Sequence, residues 1–287
     1  MPELPEVETT RMGLLPHTQG QRISRVIVRD TRLRWPIPAD FARQLEGTTV
    51  KTITRRGKYL LWECAGTKAN RKSAQKQKNG FILSHLGMSG TLCVLPDSTP
   101  ATKHDHVDII FANNLLVRFH DPRRFGAMLW IAAQESGIPT HPLLDVLGPE
   151  PLSAAFTAEH LFNASRGRTV SIKEFIMNSH VVVGVGNIYA SESLFRARIH
   201  PKRAAGKISL VRYEKLAEAI RKTLADAIRA GGTTLRDYVG TDGGQGYFQL
   251  DVTVYGREAK PCKICQTPIR LIVQGARSSY FCPHCQH

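Results

Sequence analysis

The sequence predicts an α+β protein with more than one domain, built from an opening helix and antiparallel sheet, a helical region, and a small cysteine-rich tail. Three observations carry this. From about 22 to 130, apolar residues fall in short alternating or β-rich runs separated by turn residues, with no helical crossovers between them. Beyond "GPEPLSAAF" the period becomes helical. Four of the six cysteines crowd the last 26 of 287 positions, and a chain of this length can bury separate cores.

The opening "MPELPEVETT" threads Pro2 and Pro5 through Glu3, Glu6 and Glu8. Pro5 suits a first helical position, where its missing N–H costs nothing, and Val7, Met12, Leu14 and Leu15 follow a helical period, so a helix is expected from about 5 to 15. "RVIVRD", "TTVKTITRR", "KYLLWEC", "GFILSHLGMSG", "HVDIIFANN", "LLVRFHD" and "GAMLWI" then read as strands of an antiparallel sandwich or partly open barrel. Residues 65–80 are polar and basic without apolar period, and read as a surface loop. Helices are expected over 153–164, 171–178 and 209–230, the last with Tyr213, Leu216, Ile220, Leu224 and Ala227 in one stripe and "AGG" as its stop. Asn187 of "GVGN" is placed to cap a helix running towards Phe195; the turn reads either as an anion site at a helix N-terminus or as ordinary connection chemistry.

The formal charge of +15, from 39 Lys plus Arg against 24 Asp plus Glu, makes nucleic acid the first partner to consider; a basic surface with no such partner is the alternative. No run approaches the ~20 apolar residues of a membrane span and no signal-peptide pattern opens the chain, so a cytoplasmic protein is expected. "CKIC" and "CPHC" are C-x2-C pairs sixteen residues apart, a spacing that closes a tetrahedral thiolate site on Cys262, Cys265, Cys282 and Cys285. One structural zinc fits best, with disulfides or an iron centre as the alternatives. The residues between the pairs read as a hairpin from which Arg277 projects, either into a groove or simply into solvent.

"PELPEVET", "RRGKYL" (55–60), "HLGMSG" (85–90), "KHDHVD" (103–108), "DPRRFG" (121–126), "VVGVGNIYASE" (182–192) and the "GREAKPC" tail, in this order and across almost the whole chain, resemble bacterial formamidopyrimidine-DNA glycosylases of the helix-two-turn-helix family. The resemblance implies an N-terminal β-sandwich domain over 1–140, a helix-two-turn-helix domain over 150–245 and a zinc finger over 246–287. It also implies excision of oxidised purines (8-oxoguanine, formamidopyrimidines) from duplex DNA, preferably opposite cytosine, followed by β,δ-elimination, in a bacterial monomer with no organic cofactor.

Site residues come with the resemblance. Removal of Met1 leaves Pro2 as a secondary-amine nucleophile, chemically apt because α-amino groups titrate near ~7.7–8 and so are partly neutral at working pH. Glu3 is expected to move protons and Glu6 to orient the terminus, helix N-terminal charge stabilisation being the plainer role for both. Lys58 joins the catalytic set. Met88 is expected to fill the void of the flipped base, with Phe125 as wedge and Arg123 at the orphaned cytosine; core packing is the plain alternative for the two apolar residues. His104, Lys173, Asn187 and Tyr238 are expected to bind DNA, with Arg277 as a further DNA contact or proton donor. Residues 232–248 resemble a lesion-binding loop. Gln245, where proline often precedes "GYF", and the long basic 65–80 stretch depart from the usual pattern. Pyrimidine-specific relatives, a non-catalytic DNA-binding module and an RNA-binding factor are the rival functions; the last gives no account of Pro2 and Glu3.

Overall fold

A computed structural model describes residues 2–66, 79–134, 139–231 and 252–287. The expected segments 65–80 and 232–248, and with the latter Tyr238, lie wholly or mostly outside them. The described chain divides into two compact units, one holding Pro2 and 6–145, the other holding 146–231 and 252–287 together with Glu3–Pro5.

The first unit begins on helix α1 (Leu4–Thr18), longer at its C-terminal end than its apolar period indicates. Two four-stranded antiparallel sheets follow. One has the order β1–β6–β7–β5, with β1 Ile23–Val28, β5 Thr91–Pro96, β6 Asp105–Phe111 and β7 Leu115–His120. The other has the order β2–β3–β4–β8, with β2 Thr49–Arg56, β3 Tyr59–Ala65, β4 Gly80–His85 and β8 Ala127–Ala132. Both contribute to one core, in which Ile23, Val107 and Phe119 of one sheet join Ile53, Trp62 and Ile82 of the other. This is the sandwich of two separate sheets rather than a partly open barrel. Helices α2 (Phe41–Leu45) and α3 (Pro142–Asp145) are too short to show a helical period in the sequence. Trp62 satisfies its buried indole N–H on Ser84 Oγ (3.1 Å). β6 is buried on both faces because Asp108 pairs with Arg29 and Arg118 while Asp105 meets His120.

Four helices build the second unit: α4 Ala158–Ser165, α5 Ile172–Met177, α6 Asn187–Arg196 and α7 Leu210–Arg229. α4 starts later than 153 because Thr157 accepts from the His160 N–H and sets the first turn there. Every member of the expected α7 stripe is fully buried, and Gly231 (φ +80°) follows the helix end in the left-handed region. The tail is a two-stranded hairpin, β9 (Arg270–Gln274) and β10 (Arg277–Phe281), turned through Gly275 and Ala276, both at positive φ as a type I′ turn requires. Its small core packs Val254, Ile269 and Phe281 around Cys262 and Cys282, with Phe195 of α6.

Candidate active site and nucleic-acid interface

The acidic opening is pinned on both sides of its first turn. In the second unit the Glu3 side chain is 1% exposed, and its carboxylate accepts hydrogen bonds from the backbone N–H of Gly186 (2.8 Å), Ile188 (2.9 Å) and Tyr189 (3.3 Å). Glu3, not Asn187, therefore caps α6; Asn187 is its first helical residue and Gly186 its N-cap. The cap corrects the expectation for Asn187 and leaves the turn as connection chemistry, the second of its two readings: three of the orphan donors and the positive end of the helix dipole are filled by a carboxylate of the same chain. The glycines follow from this. A Cβ on Gly186 would sit 2.2 Å from Glu3 Cδ, and Gly184 (φ +82°) presses its backbone against Leu4, whose N–H donates to the Gly184 carbonyl (3.1 Å). Pro2, one peptide bond from this clamp, is buried.

In the first unit Glu6 is buried in the first turn of α1. Glu8 meets Arg11 (2.7 Å) and Arg55 (2.8 Å), tying α1 to β2; burial alone would raise the Glu8 carboxyl, and the two guanidiniums more than offset it, leaving it lowered.

Asn187 is freed for other contacts. Its Oδ1 accepts from Lys173 Nζ (2.6 Å), and its Nδ2 faces the Tyr255 hydroxyl (3.4 Å). Lys173, expected at a phosphate, is instead 1% exposed with its ammonium on three acceptors, Asn187 Oδ1, Ser278 O and Ser279 Oγ (2.7 Å for each serine). Burial pushes it down to about 8, with the Arg277 guanidinium adding to the drop and Glu3 and Glu174 opposing it. A three-donor ammonium inside three acceptors ties α5 and the start of α6 to the finger. Arg277 is exposed at the head of β10, paired through its backbone with Gln274, and its guanidinium has no hydrogen-bond or ion partner among the described residues. Next to it lies a cavity of about 230 Å³ that Lys173, Gln274 and Arg277 help to line.

A second carboxylate repeats the Glu3 device and was not singled out from the sequence. Glu192 of α6 accepts from the N–H groups of Thr253, Val254 and Tyr255 (2.8–2.9 Å) and so anchors the strand of chain that leads into the finger. Nothing in "YASES" distinguishes it from a solvated helix acid.

Two loops of the first unit carry the expected lesion-presenting residues, and these loops are packed on one another. Met88 follows β4 and is 38% exposed; Phe125 precedes β8 and is 42% exposed, with the Arg123 guanidinium over its ring at 5.1 Å. Core packing is thereby excluded for both apolar side chains. A Cβ on Gly87 (φ +64°) would meet the Gly126 nitrogen and the Phe125 carbonyl carbon at 2.5 Å, so the loops touch backbone to backbone. Asp121, fully buried, clasps them by accepting from Gly126 N (2.8 Å), Ser89 Oγ (2.8 Å) and Arg123 N (3.3 Å). Arg124 sits in the left-handed region at φ +58°, held there by an ion pair to Asp30 (2.8 Å).

His104 abuts this clasp, its carbonyl accepting from Asp121 N (3.0 Å), and its Nδ1 is buried without a partner. Lys58 occupies the two-residue β2–β3 turn after Gly57 (φ +59°). Its neighbour Tyr59 packs against His85 (4.8 Å between rings), which burial, then the Lys58 and Arg34 charges, hold down to about 4. The neutral imidazole accepts from Gly87 N–H through Nδ1 (3.0 Å), just ahead of Met88.

The four finger thiols lie within 4.8 Å of one another, unpaired by disulfides, with Sγ–Sγ separations of 3.4, 3.5 and 4.0 Å among them. A tetrahedron with metal–sulfur bonds of about 2.3 Å has edges of about 3.8 Å, so the geometry fits zinc. Four protein ligands close the site, which makes the metal a brace for the hairpin that carries Arg277.

The chain thus combines a helix-capping terminal carboxylate, exposed apolar and arginine side chains on clasped sandwich loops, and a four-thiol finger. Family models agree along the chain: the formamidopyrimidine-DNA glycosylase N-terminal domain matches residues 1–128, the H2TH domain 147–239, and the zinc finger found in FPG and IleRS 259–287. The chain is 55% identical to the formamidopyrimidine-DNA glycosylase of Burkholderia thailandensis and 53% identical to that of Cupriavidus pinatubonensis, over the full length of each pair. It superposes on the MutM (Fpg) protein of Thermus thermophilus with a TM-score of 0.84 at 36% identity, covering 99% of this chain and 98% of that one. Lactococcus lactis Fpg bound to abasic-site DNA gives 0.85 at 30% identity and 99% coverage of both. The chain belongs to the formamidopyrimidine-DNA glycosylase family, enzymes that act in the repair of oxidised purines. Among the described residues no helix is long and apolar enough to cross a membrane.

Proposed function

We propose that the chain excises 8-oxoguanine and formamidopyrimidines from duplex DNA through an N-terminal proline Schiff base and then cleaves the abasic site by β,δ-elimination. The observation that carries the reading is the Glu3 clamp: three backbone N–H groups fix the residue bonded to Pro2, which a frayed terminus could not do. The proposal requires loss of Met1. The neutral Pro2 nitrogen then attacks C1′, and the glycosidic electrons leave with the damaged base. Ring opening gives an iminium whose positive nitrogen draws electrons, so a C2′ proton can leave and the 3′-phosphate is expelled; the δ step removes the sugar on the other side.

Glu3 is the group placed to exchange protons with the sugar oxygen and the imine. Lys58 serves phosphate or base near the flipped nucleotide, with Glu6 orienting the terminus. Extrusion costs a few kcal/mol in lost stacking and pairing. Met88 and Phe125 offset it by filling the stack, and Arg123 reads the orphaned cytosine, a reading supported by their exposure on clasped loops. Arg277, Asn187, His104 and Tyr238 contact DNA around the site, with Lys173 holding Asn187 and the finger in place. One zinc per chain on the four cysteines supplies structure and no Lewis-acid step. Related proteins support the substrate class: Lactococcus lactis Fpg has been solved with Fapy-dG DNA, and a MutM with carbocyclic 8-oxo-G DNA. The enzyme works as a cytoplasmic monomer.

Borohydride trapping on duplex DNA carrying 8-oxoguanine opposite cytosine should give a covalent adduct that peptide mass mapping assigns to Pro2. No adduct from protein lacking Met1 removes the Schiff-base mechanism, and equal excision opposite adenine removes the Arg123 assignment.

A further inference from the structure

α6 begins at the Glu3 carboxylate and ends ten residues later, about 15 Å away at 1.5 Å per residue, at Arg196. Beside that far end is a cavity of about 660 Å³ bounded by the last turn of α6, one face of α7 and His287. None of the described residues proposed to meet DNA lines it. Its rim is cationic. Arg198, Lys215 and Lys222 have no acidic side-chain partner among the described residues, whereas Arg196, also on the rim, is paired to Asp226 (3.2 Å). Arg212, Lys215, Ala219 and Lys222 fall on one helical face, and the buried Ala197 and Ala219 form an apolar floor between the charges.

The rim is built rather than incidental. Arg198 is held in the left-handed region (φ +56°), a costly conformation for a residue with a Cβ. Its carbonyl accepts from Arg212 Nη2 (3.0 Å) and from the His287 N–H (3.3 Å), and the same Arg212 nitrogen donates to the His287 carbonyl (2.9 Å). Burial, and then the nearby Arg203 charge, lower Arg212 from its usual value, while its guanidinium is spent on two backbone oxygens.

We propose that this cavity is a docking site for an acidic peptide segment of a partner protein, an apolar side chain seated on the alanine floor and flanking carboxylates on the arginine and lysine rim. Volume and charge suit such a segment. Among the described residues no Phe, Tyr or Trp lines the cavity, so none of them offers a nucleobase a stacking platform. Glu218 stands between Lys215 and Lys222 and opposes an unbroken run of phosphates, while a peptide can place a neutral residue there. Because the site lies at the opposite end of α6 from the Glu3 clamp, a partner can hold the enzyme while its DNA face works.

The test is fluorescence anisotropy on the full chain with a labelled peptide alternating glutamate and leucine. Binding that weakens with salt, falls about tenfold or more in a Lys215→Glu/Lys222→Glu variant of unchanged melting temperature, and persists under excess lesion duplex is the expected result. The same peptide with glutamine for glutamate should bind weakly. The proposal is overturned if the acidic peptide does not bind, if the charge-reversed variant binds it equally, if duplex DNA displaces it, or if inorganic polyphosphate or ATP binds more tightly through the same lysines.

Discussion

Replacing Gly186 by alanine isolates the Glu3 clamp. At φ −116° and ψ −160° the backbone there is extended and accepts alanine without strain, so the effect comes from the methyl group alone. That carbon would stand 2.2 Å from Glu3 Cδ and 2.5 Å from Oε1, distances no rotamer adjustment absorbs while the carboxylate keeps its three hydrogen bonds. The carboxylate must leave, stranding three N–H groups. Each buried unpaired donor costs about 1–3 kcal/mol, and some of the first turn can rehydrate, which gives about 3 kcal/mol in total. At about 2–4 °C per kcal/mol for a chain of this size, the melting temperature should drop by about 6–12 °C. Borohydride trapping should slow by about a hundredfold, because a displacement of the order of 1 Å at a reacting group costs that much. Gly184→Ala is the comparison: its methyl meets Leu4 rather than the carboxylate, so it should lower stability with a smaller loss of trapping per degree. A Gly186→Ala enzyme that melts within about 2 °C of wild type and traps within about twofold would refute the clamp.

Asp121→Asn puts an amide where one carboxylate receives three donors; a loss of about 2 kcal/mol is expected, with excision of 8-oxoguanine falling more than cleavage of a preformed abasic site, as gel assays on the two substrates would read. Met88→Ala and Phe125→Ala should leave chemical denaturation within about 0.5 kcal/mol because both side chains are exposed, yet slow base excision about tenfold. Chelation should release one zinc, measured by a colorimetric chelator, and abolish tight duplex binding while the sheet signal in circular dichroism persists. Lys173 takes up its proton near 8 when folded and near 10.5 when unfolded, so between these values the unfolded chain binds more protons; stability should therefore rise with pH across that window, relative to Lys173→Met, and a flat difference would count against the buried ammonium.

Legibility followed the range of the signal. The α7 stripe and the strand runs were readable because burial imposes a period on contiguous residues, and the cysteine spacing because a metal demands four ligands at fixed reach. Short α2 and α3 offered no period to read. Met88 and Phe125 could be named from motifs, but their exposure is a property of the loops, since the same letters inside a strand would be core. The hidden part was long-range acid chemistry. Glu3 sits 183 positions from Gly186 and Glu192 sits 61 from Thr253, and no local pattern announces which backbone donors a carboxylate will meet. For the same reason Asn187 was expected to cap a helix that a distant glutamate caps, and Lys173 was expected at a DNA phosphate although three acceptors from two other segments enclose it.

Those long-range contacts have a common frame in α6. At its first turn the helix holds Glu3, at Asn187 it meets the Lys173 ammonium and through it the finger hairpin, and at Glu192 it holds the chain that enters the finger. A carboxylate inside three backbone N–H groups and an ammonium inside three acceptors are each costly to leave half-satisfied, so none of the three joints can loosen cheaply by itself. Coupling follows. Glu192→Gln, which removes one acceptor charge at the finger joint and does not touch Glu3, should lower the affinity for duplex DNA and also slow trapping at Pro2. A matched Glu218→Gln change on an exposed face of α7 should do neither. If Glu192→Gln reduced DNA affinity but left the trapping rate of saturated enzyme at the wild-type value, α6 would be a passive strut for the finger, and the positioning of the amine would rest on Glu3 alone.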